Sequence, residues 1–134
     1  MLSEWSYGCD DRGHFGGVRD VANQAERAMY SCAYIEQTAA MPFVVGHQWF
    51  ELVDMSQLGI VWGSVEGAQR FQMGLVDVTD RPYREVCEAV TKANRRVYDL
   101  MFGKVKPYKV PDSVSGGRSG QKQTELISRR KQQI

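Results

Sequence analysis

Residues 42–54, reading PFVVGHQWFELVD, set an unbroken apolar run directly against a cluster of side chains able to bind and to exchange protons. His47 can donate or accept near neutral pH, Trp49 pairs a flat apolar ring with an N–H donor, and Glu51 and Asp54 add carboxylates. Phe43, Val44 and Val45 show no polar alternation, as in a parallel strand buried on both faces, and Gly46 would admit a close approach by backbone or ligand. Ligands of α/β folds gather at the carboxyl ends of parallel strands, which is where His47, Gln48, Trp49, Glu51 and Asp54 would stand. The bland alternative is a core strand that merely ends in polar residues.

The elements needed to hold such a site follow in a simple order. Residues 1–5 read as a short strand reaching a glutamate, then a Gly-, Asp- and Arg-rich loop runs to about residue 21. Asn23 with Glu26 three positions later has capping-box spacing, and Ala25, Ala28, Met29, Cys32, Ile35 and Ala39 recur at helical intervals, so a helix is expected over 22–40. Pro42 closes it and the strand over 42–50 begins. Strand, helix, strand is a βαβ unit with parallel strands. A long glycine-containing connection follows, with a short extended piece at 75–78. Asp80 could then cap a second helix with Pro82 in its first turn, and Tyr83, Val86, Cys87, Val90, Val97, Leu100 and Met101 form one apolar face up to Gly103.

Charge divides the 134-residue chain in two. Residues 1–103 hold nine Lys or Arg against fourteen Asp or Glu, a net of −5, while residues 104–134 hold eight against two, a net of +6. The second stretch is poor in large apolar residues and reads as a basic, mostly disordered tail with a short helical patch near 125–130. Cys9, Cys32 and Cys87 lack the close spacings of zinc or redox motifs, so neither metal nor cofactor is expected. Cys32 and Cys87 fall on apolar helix faces as small core residues, and Cys9 is a loop thiol. No run of about 18 apolar residues suggests a membrane span, and no signal peptide is visible, which leaves the compartment unknown.

The run RGHFGG (residues 12–17), then VANQAERAMY (21–30), PFVVGHQWFELVD (42–54) and MGLVDVTDRPY (73–83), resembles the C-terminal part of agarase-like and β-galactosidase-like retaining glycoside hydrolases over roughly residues 1–100. The resemblance implies an α/β fold, the C-terminal quarter (β7-α7-β8-α8) of a (β/α)8 barrel, with residues 1–103 as a partial barrel. It implies that Glu4 is the catalytic nucleophile. A retaining glycosidase needs one carboxylate to attack the anomeric carbon, and a second about 5–5.5 Å away to protonate the leaving oxygen and then activate water. It likewise implies that Trp49 is a sugar platform, that His47 is a hydroxyl partner, and that Arg12, His14 and Glu51 contact substrate. The chain departs from the family pattern where Gln48 separates His47 from Trp49 and where Glu51 replaces a neutral amide.

A complete barrel of this kind takes about 250 residues, so strands one to six and the acid/base glutamate on the fourth have no counterpart here. The expected function is that of a glycoside hydrolase fragment acting on a poly- or oligosaccharide of agarose or galactoside type. It would need the rest of the barrel, or another chain, to complete the fold. The alternative is a stand-alone or degenerate carbohydrate-binding module without turnover. A nucleic-acid binder is disfavoured, because the folded part is acidic and holds no DNA- or RNA-reading motif.

Overall fold

A computed structural model of the chain describes residues 1–13, 16–17, 19–56, 58 and 70–114. Its elements are β1 (Leu2–Trp5), α1 (Gln24–Ala39), β2 (His47–Trp49), α2 (Arg84–Arg95) and α3 (Val97–Met101). β1 and β2 pair in parallel, with α1 as the crossover and packed against α2. The expected tail residues 115–134, including the patch near 125–130, lie outside the described residues.

α1 starts as its sequence indicates. The Asn23 side chain accepts from the Glu26 N–H at 2.9 Å, and Glu26 reaches back to the N–H of Ala22. The buried side of the helix, however, is more polar than its apolar spacing suggests. Arg27, Ser31 and Glu36 are wholly buried, and Gln24 and Thr38 nearly so. Around them Trp5, Cys32, Ile35 and Ala93 form the apolar core, with Tyr34 stacked on Trp5 at 4.2 Å.

The strand expected over 42–50 is shorter and less covered. Pairing begins where Leu2 donates to the Gly46 carbonyl, so residues 42–45 have no strand beside them among the described residues. Val44 is buried, but Phe43 is 77 % and Val45 84 % exposed, against the expectation of burial on both faces. Among the described residues nothing lies within 4 Å of where a Cβ on Gly46 would stand, which leaves open space at that position.

The second helix begins at Arg84 rather than Asp80. Asp80 is in the left-handed region (φ 62°), and the N-cap position of α2 is Tyr83, with no side-chain cap bond among the described residues. The short polar side chain of Asp77 instead accepts from Thr79 N–H (2.8 Å), Thr79 Oγ1 and Arg81 N–H, closing a turn that holds Pro82 in a bridge with Val76. At its far end the helix breaks at Arg96, and α3 follows. Beyond it, residues that read as the start of the tail pack onto the helices. Tyr108 N–H donates to Glu36 Oε2 at 2.7 Å, the Tyr108 carbonyl accepts from Gln37, and Arg96 binds Glu36 at 2.6 Å and the Lys106 carbonyl. The tyrosine ring joins the core.

Candidate active site

The carboxyl ends of β1 and β2 lie side by side. Leu2 is opposite His47 and Trp5 opposite Trp49, so three steps along β1 match two along β2 and β1 carries one extra residue. Glu4 stands in this irregularity with φ 55°. A left-handed conformation at a non-glycine residue costs about 1 kcal/mol or more, and such strain, like the bulge itself, concentrates where a strand must re-aim a side chain. Ser3 and Glu4 are consequently both exposed, where strict alternation would have turned one of them inward.

His47 and Trp49 are half-buried beside Trp5. The Trp5 indole N–H donates to His47 Nδ1 at 3.1 Å, and its ring meets Trp49 edge-on at 4.8 Å. With Nδ1 accepting, the proton of neutral His47 belongs on Nε2. Burial holds this imidazole below its ordinary range, favouring the neutral form. Trp49 donates its own N–H to the Met73 carbonyl at 3.1 Å, so its hydrogen bond is made within the protein and the partly exposed ring is left as its contact surface.

Glu51 follows directly, across a cis peptide bond after Phe50. One of its oxygens is buried with no partner among the described residues, and burial, followed by the charge of Asp54, raises its carboxyl. Asp54 is turned inward. It accepts from the N–H of Gly74 at 2.7 Å and from the hydroxyl of Tyr83, which also lies 2.9 Å from the Gln72 amide. Gly74 has no room for a side chain, since a Cβ there would lie 2.4 Å from the Asp54 nitrogen.

Arg12 is displaced from this cluster. Its guanidinium lies 5.8 Å above the Tyr83 ring, at the rim of a cavity of about 730 Å³ lined also by Asp11, Gln24, Asp77 and Arg81. His14 lies outside the described residues. Cys9, expected as a loop thiol, is wholly buried. Gln24 donates to its sulfur at 2.9 Å, and burial, reinforced by Asp11, pushes the thiol up to about 12. Cys87 is half-buried and donates to the Leu75 carbonyl. Among the described residues no three His, Cys, Asp or Glu side chains gather as a metal site would require.

Two residues of this region escaped the sequence reading. Trp5 was part of a strand, yet it joins Tyr34, His47 and Trp49 into one aromatic cluster. Arg27 was one polar position among several on a helix. The only available signal was the spacing of Gln24, Arg27 and Ser31, which puts three polar side chains on one stripe.

Comparison with known proteins returned no matching family model. Curated relatives do match: the chain is 33 % identical over 105 residues to beta-agarase B, and 28 % identical over 99 residues to beta-agarase A, both of Vibrio sp. (strain JT0107). These alignments take in 78 % and 73 % of this chain but only 11 % and 10 % of the relatives. Solved structures agree. An exo-beta-agarase superposes with a TM-score of 0.66 at 29 % identity, over 73 % of this chain and 13 % of that one. PfGH50B gives 0.67 at 31 % identity over 74 % and 14 %, and the agarase AgWH50C gives 0.67 at 25 % over 74 % and 15 %. The homologues are thus agarases, and the chain spans about a tenth of the length of the curated ones.

Proposed function

We propose that this chain is the nucleophile-bearing segment of a retaining glycoside hydrolase that cuts an agarose- or galactoside-type polysaccharide. The supporting observation is the strained, exposed Glu4 in the bulge of β1, one strand away from His47 and Trp49, in a chain whose relatives are agarases. The order β1-α1-β2-α2 has the alternation of a (β/α)8 barrel, of which it would form the last quarter. Exposed Phe43 and Val45, and a β1 paired only with β2 among the described residues, suit a surface that the remainder of the barrel, or another chain, would cover.

In this reading a carboxylate oxygen of Glu4 attacks the anomeric carbon while an acid on the missing part protonates the departing oxygen. The same group then removes a proton from the water that releases the sugar from Glu4. Trp49 carries the apolar face of a sugar ring, and the Nε2–H of His47 donates to a hydroxyl. Glu51 would accept from another hydroxyl. Arg12 would border a more distant part of the cleft, and His14 would also contact substrate.

Incubating the chain with a mechanism-based fluoroglycoside, with and without a complementing fragment that supplies strands one to six, tests this. The expected result is a covalent adduct on Glu4 by mass spectrometry in the complemented sample, lost in Glu4→Gln. Saccharide binding with no adduct would overturn the hydrolase reading in favour of a binding module without turnover.

A further inference from the structure

Arg27 is 0 % exposed, yet among the described residues no carboxylate lies within ion-pair distance of it. A buried guanidinium without a direct counter-ion is costly, and its desolvation pulls Arg27 below the ordinary arginine range. Its donors are directed at three segments that the chain must bring together. Nε donates to the Tyr7 carbonyl at 2.6 Å in the loop after β1, one terminal nitrogen to Gln24 Oε1 at 3.1 Å on α1, and the other to the Gly74 carbonyl beyond β2. The guanidinium carbon also lies over two rings, 5.7 Å from the centre of Trp49 and 5.2 Å from that of Tyr83. Tyr83 in turn donates a hydrogen bond to Asp54, a source of compensating charge that also holds the Gly74 N–H.

We propose that Arg27 is a positioning residue: as a clamp that ties the loops after both strands together beside Trp49 and Tyr83, it sets the angle at which the Trp49 ring is presented to a sugar. The sugar-facing part of this statement rests on the function proposed above, whereas the setting of the indole does not. A lysine in its place would keep the charge but lose the fork that reaches three acceptors and the delocalised cation over the indole. The indole would then be held by the Met73 carbonyl and the edge of Trp5.

The test uses the full 134-residue chain, its Arg27→Lys and Trp49→Phe variants, and Ile35→Val as a core variant remote in type from the clamp. NMR follows hydrogen exchange at the Trp49 indole N–H and at the backbone amides of α1. In Arg27→Lys the indole proton is expected to exchange about tenfold faster while the α1 amides keep their protection; Ile35→Val should spare the indole. Titration with an agaro-oligosaccharide should show binding about tenfold weaker in Arg27→Lys, with no further loss when Arg27→Lys is added to Trp49→Phe. Unchanged indole exchange in Arg27→Lys, or equal acceleration in Ile35→Val, would overturn the proposal. If the indole responds but the wild-type chain, complemented with strands one to six, binds no sugar, the clamp stands and the sugar reading fails. Absence of a Glu4 adduct would bear on the hydrolase reading alone.

Discussion

The indole N–H of Trp5 on β1 donates to Nδ1 of His47 on β2 across 3.1 Å. This bond needs a lone pair on Nδ1, so protonating His47 would set two donors against each other and break the link between the strands. Burial already disfavours the charged form and keeps the folded-state pKa below the ordinary 6.5. The unfolded chain therefore takes up the proton first, and the stability His47 contributes is complete above about pH 6.5 and lost as pH falls through the lower native value. Urea midpoints should decline between pH 7.5 and 5.5, and that decline should shrink in His47→Gln. Glu51 has the opposite sign. Its carboxyl is raised by burial, then by Asp54, so its contribution is complete below the ordinary 4.5 and lost as pH rises past the native value. Glu51→Gln should accordingly raise the midpoint at neutral pH.

Glu4 occupies a backbone conformation that a glycine adopts freely. Glu4→Gly is expected to leave stability unchanged or raise it by up to about 1 kcal/mol, whereas β-branched Glu4→Val should cost about 1–2 kcal/mol. Both remove the carboxylate and with it any fluoroglycoside adduct. Thermal denaturation compared across the two variants would show whether the bulge is strained; equal losses would mean that it is not.

Asp54 and Tyr83 form a buried pair that also holds the Gly74 N–H. Asp54→Asn is expected to cost about 2 kcal/mol, because the charged acceptor is lost from two hydrogen bonds in a dry site. Tyr83→Phe should cost a similar amount, and the double variant clearly less than the sum, since both remove the same bond. Chemical denaturation of the four proteins measures this directly.

Glu36 is wholly buried on α1 and accepts from Arg96 and from the N–H of Tyr108. Glu36→Gln should release residues 104–110 and cost about 2 kcal/mol, less than for a fully buried pair because the Arg96 side chain is 34 % exposed. Limited proteolysis should then cut near Lys106 or Lys109 in the variant well before it cuts the wild type.

Legibility in the sequence followed the range of the interaction. α1 was readable to within two residues because its start depends on Asn23 and Glu26, three positions apart, and its end on a nearby proline. The start of α2 was misplaced because two aspartates, Asp77 and Asp80, compete for the same turn, and only backbone geometry decides which side chain captures the free N–H groups. The exposure of Phe43 and Val45 was equally hidden. An apolar run specifies what a strand would bury, while the neighbour that buries it comes from elsewhere in the chain or from a partner.

Residue types and spacing alone determined a βαβ order, a helix cap at Asn23, and a polar aromatic cluster at 47–54, since each depends on neighbours a few positions apart. Tertiary structure decided which groups meet. It joined Trp5 to His47 over 42 positions, Gly74 to Arg27 over 47, and Tyr108 to Glu36 over 72. Such contacts have no period in the sequence, because the positions of whole elements, rather than local backbone preference, bring their partners within reach.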